Sequence, residues 1–223
     1  MFGSPSIRFD VFDGQLKLMH LRKLHKAVEK TLLDFPFDET DDFVSLITSE
    51  PWDKPVDDET RHKFHSSKSI EAKVLARFHR QSALSVAYAV FEFSFLELAM
   101  DFCSELKADR NPKDLRDRGV NRAKSLFSLA GHDLQVFTSS SWNECLDIAL
   151  VRNKVMHSGG LVPTKERAKF TKIRGVHLED FADGEHMLQV CVDGDYVLRA
   201  FRIFEELLET AKSEVERILN AHS

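Results

Sequence analysis

Cysteine is scarce in this chain. Cys103, Cys145 and Cys191 are scattered, odd in number and form no CxxC pair. That excludes a disulfide framework and points to a reducing compartment, the cytoplasm. Each thiol reads as a small core residue rather than a nucleophile. Excess positive charge is missing too: 31 basic residues face 36 acidic ones, for a net charge of −5. A generic nucleic-acid coat is excluded, although a local basic groove is not. The N-terminal string MFGSPSIRFDVF has no basic region followed by an apolar core, so no secretory leader is expected. The most apolar run, Ala83 to Met100, contains Glu92 and Glu97. Charges at that depth are costly in lipid, so the run reads as a buried core helix and no membrane partner is expected. The ten histidines are dispersed, and the closest pair, His62 and His65, lacks a third ligand at a recognised spacing. Hence neither a metal nor a cofactor is predicted. Internal repeats and low-complexity segments are absent.

What remains is ordinary hydrophobic content at a length that suits one domain with an N-terminal extension. Residues 1–13 read as an extended lead-in. Residues 14–34 carry Leu16, Leu18, Leu21, Leu24, Val28 and Leu32 at helical spacing. Residues 35–66 are acidic and bear prolines, and read as an arm on the surface, with a short helix from Asp38 to Ile47. The domain boundary is therefore set at 66/67. Residues 67–107 form the longest helix, apolar on nearly every side toward its end, which marks it as central. A buried carboxylate needs a partner, so its Glu92 is expected to reach the helix that carries Arg152 and Asn153 and to orient one of them.

Residues 114–130 read as a further helix, bearing Arg116, Arg118, Arg122 and Lys124, in which Gly119 marks a kink or a close helix crossing. Residues 175–192 read as a β-hairpin turning at Asp183-Gly184. Asp193-Gly194-Asp195 leads into a last amphipathic helix through Leu219. The predicted fold is all-α: a bundle of four to five main helices with a small β-hairpin inserted before the C-terminal helix.

One stretch carries chemistry. Trp142 to Val151 reads as a helix capped by one of Ser139, Ser140 or Ser141, with Glu144 as an acidic first-turn residue. VRNKVMHSGG, Val151 to Gly160, continues it. Gly159 and Gly160 are stop signals, so His157 falls in the last turn, where a helix end favours a cation. Asn153 and His157 are four apart and share a face. A long Arg152 side chain can swing toward them, so the three can converge on one small anion. Val162 to Arg174 follows with Lys165, Arg167, Lys169, Lys172 and Arg174 against the single acid Glu166. With Lys154, these are the candidate RNA-binding residues.

Arg152 to His157, RNKVMH, resembles the arginine–polar–histidine signature of the HEPN superfamily. That resemblance covers residues 67 to 221. It implies a small helical domain of the kind found in toxin–antitoxin, abortive-infection and RNA-processing systems, many of them metal-independent endoribonucleases. It also implies that Arg152 and His157 are catalytic, that Asn153 orients them, and that a homodimer faces two motifs across a composite cleft. One departure stands out. The members paired with a nucleotidyltransferase antitoxin carry tyrosine two residues after the histidine, and here that position is Gly159. The expected function is RNA cleavage, with an antitoxin or a defence partner protein as a candidate partner. The alternative is a catalytically silent dimeric binding module in a defence or regulatory complex.

Overall fold

A computed structural model describes residues 7–33, 58–108, 115–180 and 186–222. Among them lie six helices: α1 (Ile7–Leu33), α2 (Asp58–Glu105), α3 (Val120–Leu129), α4 (Ser140–Ser158), the short α5 (Arg167–Thr171) and α6 (Gly194–His222). Three short strands, β1 (Leu161–Pro163), β2 (Val176–Asp180) and β3 (Met187–Val192), precede α6. The expected all-α bundle with a small β insertion is what forms.

The core is aromatic and is built around α2. Leu84, Ala87, Phe91, Phe95, Leu98 and Phe102 are fully or almost fully buried. Phe91 stacks on Phe204 of α6 at 4.7 Å between ring centroids. Phe95 packs against Phe127, Phe137 and Trp142, which ties α3, the following turn and α4 to the same helix. Each such side chain contributes about 1.5–3 kcal/mol of burial. The segment Lys73–Glu105 is long and apolar enough to cross a bilayer by length and composition, but this buried aromatic face makes it the core helix of the bundle.

Three expectations need correcting. The first helix starts at Ile7 rather than at residue 14. Gly14 looks like a start signal, yet it lies inside α1 where the helix passes close to α2, and a Cβ there would collide with the Ser94 hydroxyl. Second, α2 runs unbroken from Asp58, so the 66/67 boundary falls inside a helix and residues 58–66 are helical. The short helix read at Asp38–Ile47 lies outside the described residues. Third, Gly119 does not kink α3 but precedes it, with φ 62°, and residues 115–118 are not helical.

The sheet is antiparallel in the order β1–β3–β2. The predicted hairpin pairs Val176 with Val192 and Leu178 with Val190, while its turn lies outside the described residues. The third strand, β1, was not anticipated; it pairs Leu161 with Gln189. Pro163 is tolerated because β1 is an edge strand.

Polar contacts fasten α1. Arg22 bonds Glu205 at 2.7 Å, and Arg80 clasps Glu29 through Nε at 2.9 Å and Nη2 at 2.8 Å. His25, only 1% exposed, faces His79 at 2.9 Å. Burial holds the His25 pKa below its ordinary value, with His79 and Arg80 adding to the effect against the Gly194 carbonyl and Glu29. The neutral imidazole is thus the form that fits. Because the folded pKa is depressed, this contribution is complete above about pH 6.5 and is lost as pH falls from there through the folded value. Urea midpoints measured between pH 7.5 and 5 should decline below pH 6.5, and a His25→Gln variant should show a shallower decline.

Candidate functional site

The motif helix α4 begins as its sequence suggests. Ser139 is the N-cap, and its hydroxyl accepts from the Trp142 N–H at 3.0 Å. Glu144 is not in the first turn, where there is no acidic residue. It lies a turn later and pairs with Arg199 of α6 at 3.4 Å. Trp142, Cys145, Ile148 and Val151 face the core. The other side of the helix therefore carries Asn153 and His157 out to solvent, and both are exposed.

The end of α4 is pinned from behind by the sheet. Gly159 adopts the left-handed conformation, φ 59°, and Gly160 follows at φ 82°. The Gly160 N–H closes back on the Lys154 carbonyl at 3.0 Å. Its own carbonyl accepts from Val190 N–H at 2.8 Å, and Gln189 Nε2 donates to the Gly159 carbonyl at 3.1 Å. Gly160 is buried, and a Cβ there would collide with the Gln189 amide. His157 thus stands three residues before a turn that only glycine allows.

Arg152 has a support the sequence did not reveal. Its guanidinium lies over the Tyr88 ring of α2, 5.2 Å from the centroid. One end, Nη1, donates to Asn153 Oδ1 at 3.1 Å. Arg152 Nε is buried without a hydrogen-bond partner among the described residues. The half-buried cation is therefore held flat, with donor capacity left over. Tyr88 is itself fixed: it is 3% exposed and meets Phe91 and Phe204 edge-on. Burial pushes its phenol pKa upward, with Glu92 adding to the effect, so the ring stays a neutral platform.

Glu92, expected to orient Arg152 or Asn153, makes no ion pair with Arg152 among the described residues. It lies beside the Tyr88 hydroxyl toward Gly119, where a glycine Cβ would stand 3.3 Å from Tyr88 Oη and 3.7 Å from Glu92 Oε1. Tyr88, one turn earlier, takes the place foreseen for it. The structure brings Arg152 and Asn153 together. His157 is bonded to neither among the described residues, since five positions along a helix turn a side chain about 140° away.

The basic stretch is folded rather than a plain connection. Phe170 and Ile173 are buried, and Phe170 anchors α5. Glu166 lies 3.5 Å from both Lys154 and Lys169, and Arg167 approaches Asp180 at 3.8 Å. Among the described residues no ion pair engages Lys165, Lys172 or Arg174. Lys172 and Arg174 edge a cleft of about 270 Å³ that also exposes Glu144, Asp147 and Arg199. The bases on residues 116–124 scatter instead: Arg122 bonds the Asp117 carbonyl, and Lys124 lies over Phe137. All three cysteines are buried, and burial pushes their thiols upward, Cys191 to about 11, so none is activated as a nucleophile.

Sequence reading also missed a meeting of His25 and Glu29 of α1 with His79 of α2. The four-residue spacing of His25 and Glu29 was legible, but the 54 residues between His25 and His79 hid their contact. The chain matches no protein-family model, no curated protein and no solved structure.

Two outcomes follow from this geometry. In a double-mutant cycle of Tyr88→Leu and Arg152→Met, urea unfolding should give a coupling of about 0.5–2 kcal/mol. Gly160→Ala should cost about 1–3 kcal/mol in the same assay, through its positive φ and the displaced Gln189.

Proposed function

We propose that this chain is a metal-independent endoribonuclease of the HEPN type, acting in the cytoplasm as a homodimer in a toxin or anti-phage defence setting. The observation that carries the reading is Arg152. Its guanidinium is held over Tyr88, Asn153 takes one N–H, and Nε is buried without a partner, beside a solvent-facing helix end that bears His157. A planar cation held this way, with donors to spare, suits phosphate oxygens.

In the proposed reaction the RNA 2′-oxygen attacks the adjacent phosphorus and the 5′-oxygen leaves. The products carry a 2′,3′-cyclic phosphate and a 5′-hydroxyl. His157 moves protons as general base or acid, an effect worth about 10²–10⁴-fold in rate. Arg152 stabilises the charge that develops on the phosphoryl oxygens. Asn153 holds one edge of the guanidinium. Because Arg152 and His157 point about 140° apart around one helix, two motifs facing each other in a homodimer would supply both groups to a single phosphate. Lys165, Lys172 and Arg174, with the more engaged Lys154, Arg167 and Lys169, supply a local positive surface for the RNA backbone.

A second reading, a catalytically silent dimeric module docking RNA or a defence partner protein, is favoured by one observation. Glu166 and Asp180 engage Lys154, Lys169 and Arg167, three of those six bases.

Labelled total RNA, incubated with the purified protein in excess EDTA, separates the two. The wild-type protein should cut it, leaving cyclic phosphate ends, and Arg152→Ala and His157→Ala should each lower the rate at least 10²-fold. A folded, dimeric wild type that binds RNA or a partner without cutting establishes the silent module instead.

A further inference from the structure

We propose that His25, Glu29 and His79 form a binding site for one divalent transition-metal ion of the zinc class, which fastens α1 to α2 and to the start of α6. The ligand atoms of the three residues lie within 4.8 Å of one another. His25 Nδ1 and His79 Nε2 face each other at 2.9 Å, with the rings stacked at 16°. Two imidazoles brought nitrogen to nitrogen need something between them, a proton or a metal ion. Zinc–nitrogen bonds of about 2.0–2.1 Å in a tetrahedral site set the two nitrogens about 3.3 Å apart. The nitrogens therefore need to part by a few tenths of an ångström, and the rings to tilt by roughly 35° each so that both lone pairs point at one ion.

The surroundings prepare His25 for this role. Its second nitrogen, Nε2, lies 3.4 Å from the Gly194 carbonyl. A carbonyl only accepts, so the proton belongs on Nε2 and Nδ1 is left as a bare lone pair turned toward His79. A backbone carbonyl behind a histidine is the usual way of fixing the tautomer of a metal ligand. Glu29 is likewise braced. Arg80 donates to both carboxylate oxygens, and a Cβ on Gly194 would collide with Oε2. The His25 ring is buried, while Glu29 and His79 are half-buried, so an ion has a route in.

Two imidazoles and one carboxylate select a borderline ion over Mg²⁺ or Ca²⁺, which demand oxygen ligands. Three protein ligands leave a fourth position open. The ion here would be structural: none of Arg152, Asn153 and His157 lies on α1, so this site stands or falls independently of the ribonuclease reading. A second cluster, His177, Glu179 and Cys191, offers mostly exposed ligands and serves as the internal control.

The test is calorimetric titration of Zn²⁺ into the full chain after removal of metal by dialysis against EDTA. One equivalent should bind, and Mg²⁺ should neither bind nor compete. His79→Ala and Glu29→Gln, checked for unchanged helical circular dichroism, should each weaken binding at least tenfold, and Arg80→Gln about 10–100-fold as an outer partner. His177→Ala should leave it unchanged. A readout in the unaltered chain covers the case in which a variant fails to fold. On addition of one equivalent of Zn²⁺, the imidazole NMR signals of His25 and His79 should shift while those of His157 and His177 stay. Absence of Zn²⁺ binding by the folded chain, or wild-type affinity in His79→Ala, or signals that move at His177 instead, overturns the proposal.

Discussion

The constraint on which this molecule depends is the covering of α2. From Leu84 to Phe102 its buried side chains form one broad stripe, with Ser82, Val86, Ala89 and Phe93 on the exposed side. Helices α1, α3, α4 and α6 share that stripe along its length. The rings of Phe91, Phe95 and Phe102 interlock with those of Phe204, Phe127 and Trp142. Close-packed aromatic interiors tolerate little displacement. Tyr88 belongs to the same array. Its position beneath Arg152 is therefore a consequence of core packing, not of any local feature of the motif.

The motif is held at two points of different character. Beneath Arg152 lies the face of a buried ring, which attracts a cation without neutralising it. Behind His157 lies a hydrogen-bonded turn, closed by Lys154, Gln189 and Val190 around two left-handed glycines. Between these supports Asn153 and His157 remain in solvent. A fixed cation beside a side chain free to turn is a workable arrangement for recognising an anion and moving a proton. The small sheet thus has a positional role, since β3 carries the groups that end the motif helix.

Helix α1 is attached by different means. Among the described side chains Leu18 is its fully buried apolar anchor and Leu21 packs beside it on the core, while polar pairs complete the seam: Arg22 with Glu205, Arg80 with Glu29, His25 with His79. Ion pairs at half-buried sites give modest net stability because desolvation offsets much of their attraction. What they supply is register, and sensitivity to solution conditions that an apolar seam would lack. The body of the bundle depends on aromatic packing, whereas the attachment of α1 adds a few polar pairs and a buried neutral His25.

Much was legible before the structure. The central, apolar character of α2, the serine cap of α4, the glycines that end it, the hairpin and the stripe of α6 all follow from periodicity and end signals spanning a turn or two. His157 in a last turn follows from the same signals. Other features were out of reach for physical reasons. Gly14 looks like a helix start because close helix crossing and helix initiation both call for glycine. Strand β1 has three residues, too few to show alternation. Glu92 seemed the natural partner of Arg152 because a carboxylate attracts a guanidinium, but the turn of α2 presents Tyr88 there instead. The elements and the exposed chemistry at the end of α4 are set by neighbours along the chain, and so could be read from it. That Tyr88 lies under Arg152 and that His25 meets His79 depends on how helices far apart in sequence cross, which no local pattern records.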